Sequence, residues 1–204
     1  MTSATPSPEL RAALERYLDL VYAANTELNL TRIPRAQAWA RHVEESLALL
    51  PLRSWLPGEV VVDLGSGAGL PGIPLACARP DLRLVLLEKS PKKAAFLERV
   101  VAELALARVT VAAVTAEAWA AAPPHPAAAV VSRAAAPPRE LLRLALPLLA
   151  SGGELLAHVG ASAEVDGPLR AAARRLGGGP PVMEVAGVIR VLRVRRPPSA
   201  ARRP

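Results

Sequence analysis

Cysteine is almost missing: Cys77 is the single thiol among 204 residues. One thiol excludes an internal disulfide and a cysteine-based metal cluster. Aromatic side chains make up only 3% of the chain, and Trp39, Trp55 and Trp119 read as packing residues rather than base-stacking platforms. Lysine is confined to Lys89, Lys92 and Lys93. No apolar run approaches the roughly 20 residues that span a bilayer. The opening MTSATPSPEL lacks a charged segment followed by an apolar one, so it does not read as a signal peptide. These absences lead to the expectation of a cytoplasmic protein with no membrane partner and no bound metal.

What is present suits one compact domain with a small extension. Apolar residues make up 51% of the chain, enough for a full core. The formal charge of +7 suggests an anionic partner, although arginine is inflated together with alanine and proline by a general compositional bias. Five arginines fall between Arg193 and Pro204. A segment of that kind attracts phosphates weakly and in a salt-dependent way.

No internal repeat is visible. Leu10, Leu14, Tyr17, Leu18 and Val21 fall at helical spacing within Pro8–Ala24, and a second helix is expected over 35–50, opened by Pro34 and closed by Pro51. From residue 59 the pattern changes. Strand-like runs at 60–64, 82–88, 108–114, 128–132 and 154–159 alternate with helical segments at 72–79, 91–105, 138–149 and 162–175. Continuous apolar strands separated by helices indicate a parallel sheet covered on both faces. Runs 181–185 and 188–194 are joined only by Ala186-Gly187, which forces an antiparallel hairpin. The expected fold is α/β, with a seven-stranded, mostly parallel sheet ending in that hairpin. Residues 1–7 are expected to be disordered, 8–56 to form a helical cap, 57–195 the α/β domain, and 196–204 a disordered basic tail.

Residues 60–74, VVVDLGSGAGLPGIP, hold the sharpest signal. The loop follows the first strand, where ligands of open α/β sheets bind. Gly65, Gly67 and Gly69 allow a tight turn and close approach of a ligand. Glu88 ends the second strand, about twenty residues on, where a carboxylate accepts ribose hydroxyls. This pattern fits either a dinucleotide or S-adenosylmethionine. Two features separate them. Pro71 and Pro74 fall where the next helix begins and remove N–H groups that a pyrophosphate needs. Asp63 precedes the loop, and a carboxylate there repels a pyrophosphate but suits an ammonium and a sulfonium. Both features favour S-adenosylmethionine.

With those residues stand several others in a fixed order: Asn25, Asn29, Leu30 and Thr31; Arg41, His42, Ser46 and Leu47; DLGSGAGLPGIPLA at 63–76; LLEKSPKKAAFL at 86–97; and VVSRA at 130–134. This set resembles the bacterial small-subunit rRNA methyltransferase G family, also called glucose-inhibited division protein B, over roughly residues 10–160. The resemblance implies a Rossmann-like class I S-adenosylmethionine-dependent methyltransferase fold and transfer of a methyl group to N7 of one guanine in 16S rRNA. It implies that Asp63, Gly65, Gly67, Gly69, Leu70, Glu88, Ala116, Glu117 and Arg133 line the S-adenosylmethionine site. Asn29, Thr31 and His42, with Arg133, become candidates for the substrate side. The implied partner is 16S rRNA, as free RNA, small subunit or assembly intermediate, and the expected state is a monomer. His125 reads as a loop residue, and Lys92 and Lys93 as solvated residues able to attract phosphate.

The pattern departs from the family at four places. The family usually has a basic residue where Thr115 stands, a Lys-Gly pair where Val159-Gly160 stands, Arg-His where Val188-Ile189 stands, and aspartate where Glu45 stands. The first three remove positive charge from the face expected to meet RNA. Three functions therefore remain open: the guanine-N7 methyltransferase, a diverged methyltransferase with another substrate, and a non-catalytic RNA- or ribosome-binding protein that keeps the fold.

Overall fold

A computed structural model describes residues 6–121, 126–133 and 135–199. His125 lies outside the described residues. Seven strands form one sheet in the order β3-β2-β1-β4-β5-β7-β6. They are β1 Val60–Leu64, β2 Arg83–Leu87, β3 Val109–Ala112, β4 Ala127–Arg133, β5 Leu149–Val159, β6 Val182–Ala186 and β7 Ile189–Arg195. The first five run parallel, while β7 lies antiparallel between β5 and β6. The short link at Ala186-Gly187 produces this hairpin, with Gly187 at a φ of 61°. The expected seven-stranded sheet and terminal hairpin are found.

Helices cover both faces. Alternation along β1 sends Val62 and Leu64 to one side, where they pack with Leu141 and Leu142 of α6 (Pro138–Ala145) and Leu169 of α7 (Gly167–Arg175). Val61 and Asp63 face the other side. There α1 (Pro8–Leu28), α3 (Gly72–Ala78) and α4 (Pro91–Glu103) bury Leu14, Tyr17, Ile73 and Leu97 against Leu86. Burial of this continuous apolar surface is the main force holding the layers together.

Three features differ from the sequence expectation. Residues 35–50 do not form one regular helix. A 3₁₀ turn (Arg35–Gln37) leads into a π-helical turn (Trp39–Glu44), then a short α2 (Glu45–Leu47) and a second 3₁₀ turn (Leu50–Leu52). A further helix, α5 (Ala116–Ala121), follows β3 and is capped by Thr115, whose Oγ1 accepts the Ala118 N–H at 3.2 Å. Finally, the tail does not leave the fold at residue 196. Arg196 exchanges backbone hydrogen bonds with Gly152 and Gly153 and donates from Nη1 to the Leu149 carbonyl at 2.6 Å.

Candidate functional site

The strand order reverses beside β1, between β2 on one side and β4 on the other. The carboxyl ends of these strands are therefore where a ligand can sit. Ser132 ties the two central ends together by donating from Oγ to the Leu64 carbonyl at 2.9 Å. The glycine loop leaves β1 at this point.

The loop spends its N–H groups on itself and on the end of β2. Gly65 and Ser66 donate to the Leu87 carbonyl, and Gly69 and Leu70 to that of Ser66. At the start of α3, Gly72 N–H donates to Asp63 Oδ2 at 2.9 Å, Ile73 to Gly69 O and Leu75 to Pro71 O, while Pro74 has no N–H. None of the first four positions of α3 offers a free donor to an anion. The mechanism by which helix N-termini hold phosphate is closed here.

Asp63 is fully buried, and the structure spends it on this helix start. Its Oδ1 has no hydrogen-bond partner. A Cβ added at Gly72 would stand 2.6 Å from Oδ2, so the close approach requires glycine there. Gly69 and Leu70, expected on the ligand path, are buried too; a Cβ at Gly69 would meet Ile73 Cγ1 at 2.6 Å, and Leu70 packs in the α1–α3–α4 core. Gly65 and Gly67 form the open part of the loop. Glu88 stands beside them, accepting the Gly67 N–H at 2.9 Å through Oε2 and the Ser90 N–H at 2.8 Å through Oε1. Ala116 is buried at the start of α5, while Glu117 is exposed and pairs with Arg143 at 2.8 Å.

Burial raises the pKa of Asp63 to about 7, with Glu88 adding and the Gly72 N–H opposing. The folded protein therefore keeps a proton that the unfolded chain loses between pH 4 and 7. Asp63 stabilises most fully below its ordinary carboxyl pKa, and that contribution declines as pH rises through 7, by about 1.4 kcal/mol per pH unit for one proton. In Asp63→Asn the decline should vanish. Urea denaturation of both proteins across pH 4–8 checks this. The wild-type advantage should shrink with rising pH and level off above about 7; a pH-independent difference would rule out the titration.

The second half of the site lies on the ends of β4 and β5 and the start of β7. A cavity of about 840 Å3 opens there, bordered by Arg133, Arg139, His158 and Arg190. Val159, Gly160, Val188 and Ile189, three of them positions where the chain departs from the expected basic pattern, border the same cavity. His158 escaped the sequence reading. It is 8% exposed, its Nε2 has no partner, and burial followed by Arg133 lowers its pKa to about 4. The only signal was one imidazole in the otherwise apolar run LLAHV.

Arg133 joins this cavity to the N-terminal segment rather than to the glycine loop. Its Nη1 donates to the Arg41 carbonyl at 2.5 Å, and Nη2 lies 3.5 Å from Glu45 Oε2. Glu45 also pairs with Arg41 at 3.0 Å. Thr31 and His42 are in contact, with Oγ1 and Nε2 3.0 Å apart. Asn29 is not with them. It is exposed and closes α1 in the left-handed region at a φ of 49°, a conformation that asparagine tolerates better than most residues.

Comparison with known proteins decides what kind of chain this is. Residues 10–173 match the family model described as rRNA small subunit methyltransferase G, GidB. The chain belongs to this family. Ribosomal RNA small subunit methyltransferase G of Anaeromyxobacter sp. (strain Fw109-5) is 44% identical over 160 residues, covering 78% of this chain and 73% of that protein. The enzyme of that name from Moorella thermoacetica is 38% identical over 184 residues, covering 87% and 76%. Among solved structures, M. jannaschii TYW2 in complex with AdoMet is similar in fold, with a TM-score of 0.57 at 19% identity over 76% of this chain and 74% of that one. The methyltransferase G family thus has, in this chain, the α/β sheet that its motifs imply. Among the described residues, no helix is long and apolar enough to cross a membrane.

Proposed function

We propose that this protein transfers a methyl group from S-adenosylmethionine to N7 of a guanine in 16S rRNA. One observation carries the reading: the glycine loop, which has no free N–H for a phosphate at the start of α3, faces the Glu88 carboxylate and shares one sheet edge with the β4–β5 cavity. Such a floor disfavours an anion and suits a ligand carrying positive charge. Gly65 and Gly67 let that ligand approach. Glu88 accepts one N–H on each oxygen, and a carboxylate offers about four acceptor sites, so it retains capacity for two ribose hydroxyls. Ala116 and Glu117, at the start of α5 after β3, flank the place for the adenine.

When bound, S-adenosylmethionine supplies an electrophilic methyl group on a sulfonium. The residues of this chain then have to orient the acceptor. Guanine N7 has a free lone pair and no proton to lose, so no general base is required. Alignment of N7 with the methyl supplies most of the acceleration. The purine becomes cationic as the bond forms, and the Glu45 carboxylate, bordering the cavity, lies where it can favour that charge. The positive cavity edge at Arg139 and Arg190 suits RNA phosphate.

A second reading, a different RNA target, is favoured by Val159, Val188 and Ile189, which leave part of the cavity wall without charge. Titration calorimetry with S-adenosylmethionine, followed by methyl transfer to unmodified small-subunit RNA and to intact subunits, separates the possibilities. Binding and guanine methylation are expected. Absence of binding at millimolar ligand would overturn the enzymatic reading, and transfer to another RNA alone would favour the second.

A further inference from the structure

Three segments, one of them some ninety residues from the others, meet around one imidazole. Thr31 comes from the turn after α1, His42 from the π-helical turn, and Arg133 from the end of β4. His42 is 2% exposed. Its Nε2 lies 3.0 Å from Thr31 Oγ1, and its Nδ1 lies 3.4 Å from Arg133 Nη1. A guanidinium can only donate, so a hydrogen bond at this contact makes Nδ1 the acceptor. That arrangement places the ring proton on Nε2, facing Thr31 Oγ1.

Thr31 is itself fixed. Asn25 accepts the Thr31 N–H at 2.8 Å and donates to its carbonyl at 2.9 Å, and Thr31 Oγ1 takes the Ile33 N–H at 3.0 Å. Ser46 holds the other side by donating to the His42 carbonyl at 2.5 Å. Burial, and after it the Arg133 charge, lowers the His42 pKa to about 4 against a hydrogen bond with the Arg41 backbone, so the ring stays neutral at physiological pH. The other charged groups around Arg133 are Arg41 and Glu45, whose mutual pair sets the far side of the guanidinium.

We propose that Thr31 and His42 are positioning residues: the Thr31–His42–Arg133 hydrogen-bond relay fixes one tautomer and aims the guanidinium at the edge of the β4–β5 cavity. The polar residues of two sequence motifs thus act through Arg133 rather than by touching the substrate. The inference rests on the proposed function only for its kinetic consequence; the tautomer can be observed without any substrate.

The test uses the full chain and four variants. Asparagine at position 42 puts a carbonyl oxygen where Nδ1 stands, whereas glutamine reaches the Nε2 position and leaves Arg133 without its acceptor. His42→Asn and Thr31→Ser should retain most of the turnover on unmodified small-subunit RNA. His42→Gln and Thr31→Val should lower kcat about tenfold to a hundredfold, as misaimed groups do, with KM and S-adenosylmethionine affinity nearly unchanged. Equal losses in the asparagine and glutamine variants, or full kcat in Thr31→Val, would overturn the relay. Long-range nitrogen–proton NMR of the His42 ring in the wild type should report the proton on Nε2, shifting in Thr31→Val; a proton on Nδ1 would overturn the relay even if the wild type methylated no RNA, a result that by itself counts only against the function.

Discussion

Replacing Gly65 by valine should weaken S-adenosylmethionine binding by about a hundredfold or more, a loss of about 2.7 kcal/mol. Two costs combine. Gly65 has a φ of 72°, a region in which an L-residue costs about 1–2 kcal/mol and a β-branched one is least at ease. Its Cβ would also stand 3.0 Å from Ala135 Cβ, pressing the loop after β1 against the one after β4. Those two loops bound the sheet edge proposed for the ligand. Calorimetry measures the affinity, and a melting curve checks that the variant is folded. Wild-type affinity would show that the open part of the glycine loop does not hold the ligand.

Removal of the Arg133 side chain should lower turnover by about a hundredfold, in the range found when one preorganised donor is lost from an active site. The side chain is 17% exposed and makes contacts to Arg41 O, His42 Nδ1 and Glu45 from one planar fork. Among the described residues, Arg133→Ala leaves Glu45, 7% exposed, with only Arg41 as a charged partner, so stability falls as well. The assay must be run well below the variant's melting point. Arg133→Lys should rescue little, because a point charge cannot reproduce the fork. Unchanged kcat in the alanine variant would remove Arg133 from the site. Because Arg133 borders the cavity rather than the glycine loop, turnover should fall more than cofactor affinity.

Much of this arrangement could be read from the chain. Strand positions were legible because both faces of the sheet are covered, leaving runs such as VVVDL and LRLVLL almost wholly apolar. The hairpin was legible because two residues cannot make a crossover. Pro71 and Pro74 carried real information, since the start of α3 has no donor to spare. The role given to Asp63 was misleading. It shares a face with Val61, the face covered by α3, and its carboxylate turns inward to Gly72 instead of toward a ligand. That alternation was available in the sequence, but the contact of Asp63 with the helix start nine residues on was not.

Other features depended on tertiary contacts. The helix at 116–121 hides in a run of alanines with little amphipathic pattern, and only the Thr115 cap marks it. The π-helical turn at 39–44 has no periodicity of its own. Asn29 became a substrate-side candidate through the family motif it shares with Thr31; in the fold it is the left-handed end of α1, and Thr31 is the member of the motif that meets His42. Arg196 would have been read as tail by any compositional rule, yet its backbone bonds to Gly152 and Gly153 carry the pairing of β7 further along β5.

The central claim is that this chain modifies one guanine of small-subunit rRNA at N7. The most direct measurement is mass mapping of 16S rRNA from cells with and without the gene. One guanine carrying a single methyl group at N7 should lose it on deletion and regain it when the wild-type gene, but not one encoding Arg133→Ala, is restored. An rRNA methylation pattern unchanged by deletion would contradict the claim.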